Sequence, residues 1–123
     1  MIYITGIGSV SAIGSNVAET KQSILDNIHG LKWSEEHEMM LGAIAQSNSS
    51  LRDELKISDL SYSRCSLLGI KAAREAWANN TFQDEIRTGL ISSTSVGEFD
   101  ITEDICHSHY KEQIDLAHRL LTQ

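Results

Sequence analysis

The first fourteen residues constrain the fold of this chain most strongly. Residues 2–7 are rich in β-branched side chains and almost wholly apolar. This predicts a strand buried on both faces, because a strand with one wet face alternates apolar and polar residues. Gly6 and Gly8 lead into a loop of small residues that Gly14 closes, and a helix start follows at once. A strand, a glycine loop and a helix in this order predict the opening unit of a layered α/β domain.

Length, charge and cysteine content limit the classes of function. A chain of 123 residues makes one domain or part of one. Its formal net charge of −7 argues against nucleic acid or an anionic membrane as partner. Cys65 and Cys106 form no C-x-x-C pair, which favours a reducing cytoplasm. No segment approaches the roughly 20 apolar residues of a membrane span, and the N-terminus lacks the features of a secretory signal.

Capping signals and periodicity predict further elements along the chain. Asn16 and Glu19 form a capping box for an amphipathic helix over residues 17–28. Residues 31–40 are irregular and acidic, which indicates a surface connection, and a strand is predicted over 41–46. Residues 51–60 favour one short helical turn. A second buried strand is predicted over 87–93, and Asp100 with Glu103 predicts a capping box for a long helix that ends near residue 121.

The helix predicted over residues 62–78 is apolar or small around most of its circumference. Asp59 or Ser61 is its expected cap. Its polar residues occupy a narrow arc: Arg64, Lys71, Arg74 and Glu75. Small side chains at helical spacing form a ridge: Cys65, Leu68, Gly69, Ala72, Ala73 and Ala76. Such a helix is expected to be sandwiched between two layers, because small ridges let other backbones approach closely.

Three chemistries are candidates on the residues alone. Gly6-x-Gly8 after a strand is typical of dinucleotide binding, but the third glycine position is Ser11 and no acidic residue ends a second strand, so a tight packing turn is favoured. His107 and His109 point apart on a helix, which disfavours a metal site. Cys65 is expected to be buried packing within its helix, and Cys106 falls on the apolar side of its own, so neither is favoured as a nucleophile.

An ordered series of motifs resembles one family. The run Thr5-Gly6-Ile7-Gly8-Ser9-Val10-Ser11-Ala12-Ile13-Gly14 resembles the opening T-G-x-G-x-V-S-x-x-G of the β-ketoacyl-[acyl-carrier-protein] synthases, with Ala12 at the usual proline. Similar segments follow in the family's order: His29-Gly30-Leu31, residues 40–44, residues 64–76 and residues 89–97. The likeness covers nearly the whole chain.

The resemblance implies a fold, an activity and a pocket. The fold is thiolase-like, and this chain would form part of its N-terminal half, a layered βαβαβ unit with buried helices between two sheets. The activity is decarboxylative condensation of an acyl thioester with malonyl carrier protein, without a cofactor, and the partner is acyl carrier protein. The resemblance places Thr94, Ser95, Val96 and Gly97 beside the acyl pocket, with Val96 lining or gating it. Glu98 stands where the family has a second glycine.

The catalytic residues of the family have no counterpart in this sequence. Its nucleophile lies in a T-A-C-[ST] motif, which neither Cys65 nor Cys106 matches, and none of the five histidines corresponds to the catalytic pair. We therefore expect an N-terminal segment of a condensing enzyme, inactive alone, that self-associates or lacks a C-terminal remainder. One alternative is a non-catalytic binding or scaffolding subunit that pairs with a separate catalytic chain or with itself. A nucleotide-binding module is a further alternative.

Overall fold

A computed structural model of the chain describes residues 1–78, 89–95, 97 and 99–121, with side chains as far as residue 113. Its elements in chain order are α1 (Val17–Leu25), β1 (Leu31–Ser34), β2 (Met39–Gly42), α2 (Asn48–Leu55), α3 (Arg64–Trp77) and α4 (Phe99–Leu121). The chain is therefore mixed α/β, as predicted. The finer prediction, a layered thiolase-like half, stays a prediction. No helix in the described part of the chain is both long and apolar enough to cross a membrane.

The sheet is a two-stranded antiparallel hairpin. Leu31 pairs with Gly42 and Ser34 with Met39. The surface connection predicted over 31–40 therefore contains β1, and the strand predicted over 41–46 begins earlier and ends at Gly42. The acidic residues that suggested a loop occupy the turn between the strands, where Glu38 adopts a left-handed φ of 50°. The acidic residues therefore indicate the hairpin turn, and the short strands on either side of it have no clear signal of their own in the sequence.

The core lies between α2 and α3. Leu51 and Leu55 of α2 meet Leu67 of α3, and all three are buried. Where the sequence predicts one short helical turn, α2 runs for eight residues. It begins directly after Ser47, whose side chain caps the helix by accepting from the Ser50 amide. Ser63 caps α3 in the same way, so the predicted caps Asp59 and Ser61 are wrong.

The two predicted buried strands are absent from the described residues. Residues 1–10 have no strand, and Ile2 and Ile4 are 98% and 85% exposed. Residues 89–93 are likewise irregular and exposed, while residues 87 and 88 lie outside the described part. A strand gains its hydrogen bonds only from a neighbour, and none of the described residues lies beside either segment as a paired strand.

The prediction that α3 is sandwiched between layers is wrong in the described residues. Leu67 is buried against α2, yet Cys65, Gly69 and Ala73 of the small ridge are exposed. The polar arc of α3 instead faces the rest of the described chain, since Lys71 and Arg74 both bond to residues in or beside α2.

At the start of α4, Asp100 is not a cap. It lies within the helix, where its carboxylate accepts from the backbone N–H of Arg64 at 2.8 Å. The Asp100–Glu103 capping box predicted from the sequence is therefore wrong. The carboxylate serves the first turn of α3 instead, where free N–H groups favour an anion.

Candidate functional site

The glycine loop at the N-terminus packs directly against α3. A Cβ built on Gly8 would overlap the carbonyl oxygen of Ala72 and lie 3.1 Å from the amide nitrogen of Ala76. No other residue type fits there without displacing helix backbone. The packing turn favoured for Gly8 is thus a close approach of backbone to backbone.

Glu75 fastens the same loop to α3. Its carboxylate accepts from the backbone N–H of Ser9 at 3.0 Å and from that of Val17 at 2.8 Å. The two oxygens therefore hold both ends of the glycine loop, and the second bond satisfies a free N–H in the first turn of α1. In the sequence, Glu75 is part of a polar arc, and no local signal indicates this role.

The middle of the loop closes on itself. Ser11 and Gly14 form an antiparallel bridge, with the Ser11 amide donating to the Gly14 carbonyl at 2.9 Å. Gly14 is also crowded, because a Cβ there would lie 2.7 Å from Oγ1 of Thr20. Thr5 is exposed and Gly6 half-buried. Of the five motif residues, Gly8, Ser11 and Gly14 are therefore the ones whose geometry the structure explains.

The capping box predicted for α1 is confirmed. Asn16 accepts from the Glu19 amide at 2.8 Å, and the Glu19 carboxylate accepts from the Ser15 amide at 2.8 Å. The backbone bond from Ser15, followed by the side-chain bond from Asn16, holds the pKa of Glu19 below its ordinary value of 4.5. The helix ends three residues earlier than predicted, at Leu25, and Asn27 follows with a left-handed φ of 53°.

Two of the four predicted acyl-pocket residues, Thr94 and Gly97, border a cleft beside α3, which we call the α3 cleft. It measures about 710 Å³ and lies between the exposed ridge of α3 and residues 90–94 with Gly97. Thr94 contacts both sides, because its Oγ1 lies 3.7 Å from Sγ of Cys65 and accepts from the Gly97 amide at 3.0 Å. Gly97 has a φ of +61°, which favours glycine.

The other candidate residues are two from the predicted acyl pocket, the two cysteines and two of the histidines. Ser95 is exposed and does not line the cleft, and Val96 lies outside the described residues. Cys65 is exposed and lines the cleft, so its prediction as buried packing is wrong. Cys106 is exposed on α4, as are His107 and His109. Among the described residues, no three His, Cys, Asp or Glu side chains are grouped as metal ligands.

Arg64 anchors the first turn of α3, and sequence reasoning missed this as well. Its guanidinium donates to the carbonyls of Ile44 and Gln46 and to Oδ1 of Asn48, at 2.7, 2.9 and 2.8 Å. These bonds tie the start of α3 to the connection between β2 and α2. The signal available in the sequence was an arginine in the first turn of a mostly apolar helix, which indicates a specific partner without naming it.

We expect Glu75→Gln to loosen the glycine loop without unfolding the core. The amide oxygen of glutamine accepts more weakly than a carboxylate, and its NH₂ group cannot accept at all, so at least one of the two bonds is lost. The Ser9 and Val17 amides should then exchange with solvent about tenfold faster. Amide hydrogen exchange measures this, with the Leu67 amide as internal control. Unchanged exchange at both loop amides would contradict the clamp.

The comparisons with known proteins give no relative. No protein-family model, no curated protein and no solved structure matches this chain.

Proposed function

We propose that this chain is the N-terminal part of a β-ketoacyl-[acyl-carrier-protein] synthase and that it binds an acyl chain without performing condensation by itself. The observation that carries the proposal is the run from Thr5 to Gly14, which holds every fixed position of T-G-x-G-x-V-S-x-x-G. The chain alone is inactive in this proposal because it holds neither the T-A-C-[ST] nucleophile nor the paired histidines that stabilise the enolate.

The loop geometry supports the proposal. Gly8 lies against the backbone of Ala72 and Ala76, in the part of α3 that resembles the family's buried helix. This contact explains why a motif position needs glycine, and it assigns the loop a packing role rather than a phosphate-binding one. The run from Thr5 to Gly14 and α3 each resemble a segment of the family. The two segments are thus joined by contact as well as by their order in the chain.

The α3 cleft supports the proposal that this chain binds an acyl chain. Its walls are mostly apolar or small, with Ile70, Ala73 and Ile91 among them, and none of the described residues that line it is Asp, Glu, Lys or Arg. An alkyl chain has no polar group to satisfy and gains by leaving water, so such walls suit it. Acyl carrier protein remains the proposed donor on the strength of the resemblance.

Gly69→Leu tests acyl binding. A Cβ at Gly69 has nothing within 4 Å, so the added side chain enters the cleft without disturbing α3. We expect a fluorescent long-chain fatty acid to bind roughly tenfold more weakly to this variant, because the leucine occupies space that the alkyl chain needs. Ala78→Leu, which adds the same side chain to an exposed residue outside the cleft, is the control. Equal affinity for all three proteins would contradict the proposal.

The DNA that follows the codon of Gln123 tests the family assignment. A continuation in any frame that encodes T-A-C-[ST] and later histidines supports a synthase segment, whereas an unrelated gene favours the scaffolding alternative.

An enzymatic assay tests the proposed inactivity: we expect no condensation by the chain alone. Turnover that Cys106→Ala abolishes would overturn the proposed inactivity.

A further inference from the structure

The exposed N-terminal segment, residues 1–7, has the properties of a strand without a neighbour. No backbone group of these residues is hydrogen-bonded to any other part of the described chain. Ile2, Ile4 and Ile7 are 98%, 85% and 61% exposed, and Tyr3 is 72% exposed. Apolar, β-branched residues that present free N–H and C=O groups are a template for another strand. The glycine loop fixes this segment to α3 at one end only, through Gly8 and Ser9.

We infer that residues 1–7 pair as a β-strand with the same residues of a second copy of this chain. The inference rests on this segment alone and is independent of the proposed function. It commits to a self-complementary pair, in which the two strands run antiparallel about a two-fold axis.

Charge favours a second copy at this place. The chain carries a net charge of −7, so two copies repel each other over most of their surfaces. The first acidic or basic side chain along the sequence is Glu19, so the side chains of residues 1–7 are uncharged. The α-amino groups of the two Met1 residues lie at opposite ends of an antiparallel pair and do not repel each other at close range. Short segments with high β-propensity, no proline and no charge are the ones that pair with their own kind. Tyr3 and Thr5 add aromatic and β-branched side chains, which form favourable cross-strand pairs.

The area available fits a reversible dimer. Five large side chains are exposed in the segment: Met1, Ile2, Tyr3, Ile4 and Ile7. Each offers roughly 100 Å² of apolar surface, and the side chains alternate between the two faces of the paired strands, so a symmetric pair buries less than roughly 1,000 Å². Stable complexes bury about 1,200–2,000 Å², which places this pair at the weak end, with a dissociation constant on the order of micromolar. Association should therefore depend on concentration.

Charged variants at Ile4 test the inference. In an antiparallel pair about this two-fold axis, the two copies of residue 4 lie close together, so Ile4→Lys or Ile4→Glu places like charges against each other. The wild-type chain should show a mass that rises with concentration in sedimentation velocity, in reducing buffer because both cysteines are exposed. Each variant alone should remain monomeric at concentrations where the wild type associates. An equimolar mixture of the two variants should associate again, since lysine then meets glutamate.

The controls separate this strand from other apolar surfaces. Leu60 is 78% exposed and lies outside the segment, so Leu60→Lys makes the same kind of change elsewhere and should leave association intact. Circular dichroism should show equal helix content in all variants, because Ile4 is exposed and contributes nothing to the core. Any one of four outcomes would overturn the inference. The wild type is monomeric at all concentrations, Ile4→Lys still associates, Leu60→Lys loses association equally, or the mixture of the two Ile4 variants stays monomeric.

Discussion

Gly8→Val is expected to detach the N-terminal loop from α3 and to destabilise the protein by about 3 kcal/mol. A Cβ at this position would overlap the carbonyl oxygen of Ala72 and lie 2.7 Å from its carbonyl carbon. Both atoms belong to helix backbone, which cannot move aside without breaking hydrogen bonds of α3. Detachment also removes the two bonds from Ser9 and Val17 to Glu75. Urea unfolding of the variant and the wild type measures the difference.

Gly69→Ala is the matched control for Gly8→Val. This glycine lies within α3, and a Cβ there has nothing within 4 Å. Alanine should therefore stabilise the helix by about 0.5–1 kcal/mol, because glycine loses more backbone entropy in a helix. The two substitutions add side-chain atoms to a glycine and should act in opposite directions. Equal effects would show that Gly8 is not held against α3.

Leu67→Ala is expected to destabilise the protein by about 3 kcal/mol and to melt α2 and α3 together. Leu67 is fully buried against Leu51 and Leu55, which are the other buried hydrophobic residues in the described chain. With so small a core, the cavity left by the lost methyl groups has few neighbours to fill it. Loss of helical circular dichroism during a thermal scan gives the midpoint for each protein.

Leu60→Ala provides the comparison for Leu67→Ala. Leu60 is 78% exposed, so its truncation removes little packing and should change the free energy of unfolding by less than about 0.5 kcal/mol. If the two leucine variants unfolded at the same temperature, the α2–α3 contact could not be the core of this protein.

The helices were largely predictable because their signals are local. The Asn16–Glu19 capping box predicted the start of α1 correctly, since its partners are three residues apart and meet whenever the helix forms. The cap of α3 was harder, because Asp59, Ser61 and Ser63 compete within five residues. Asp59 accepts from the Ser61 amide, which holds its pKa below the ordinary 3.8 and leaves Ser63 as the cap.

The strands and the candidate site were less predictable because their contacts are distant in the sequence. β-branched character marked residues 2–7 as strand-forming, but a strand also needs a partner, and a pattern names none. Glu75 lies 66 residues from Ser9 and 58 from Val17, so its clamp could not be read from either segment. The family resemblance alone placed Thr94 beside an acyl pocket, which stays a prediction, and the contact of Thr94 with Cys65 spans 29 residues of sequence.

The sequence by itself determined where α1, α3 and α4 form, where glycine is required at Gly8 and which segments carry no charged side chain, because these properties arise within a few neighbouring residues. Only the tertiary structure decided which face of α3 is covered. In the described chain the small ridge meets another backbone at Ala72 and Ala76, beside Gly8, and the rest of it is largely exposed. The polar arc carries the long-range bonds, through Arg64, Lys71, Arg74 and Glu75. Carboxylates and guanidinium groups can bond carbonyls and amides at any sequence distance, so their partners are set by how the chain folds back.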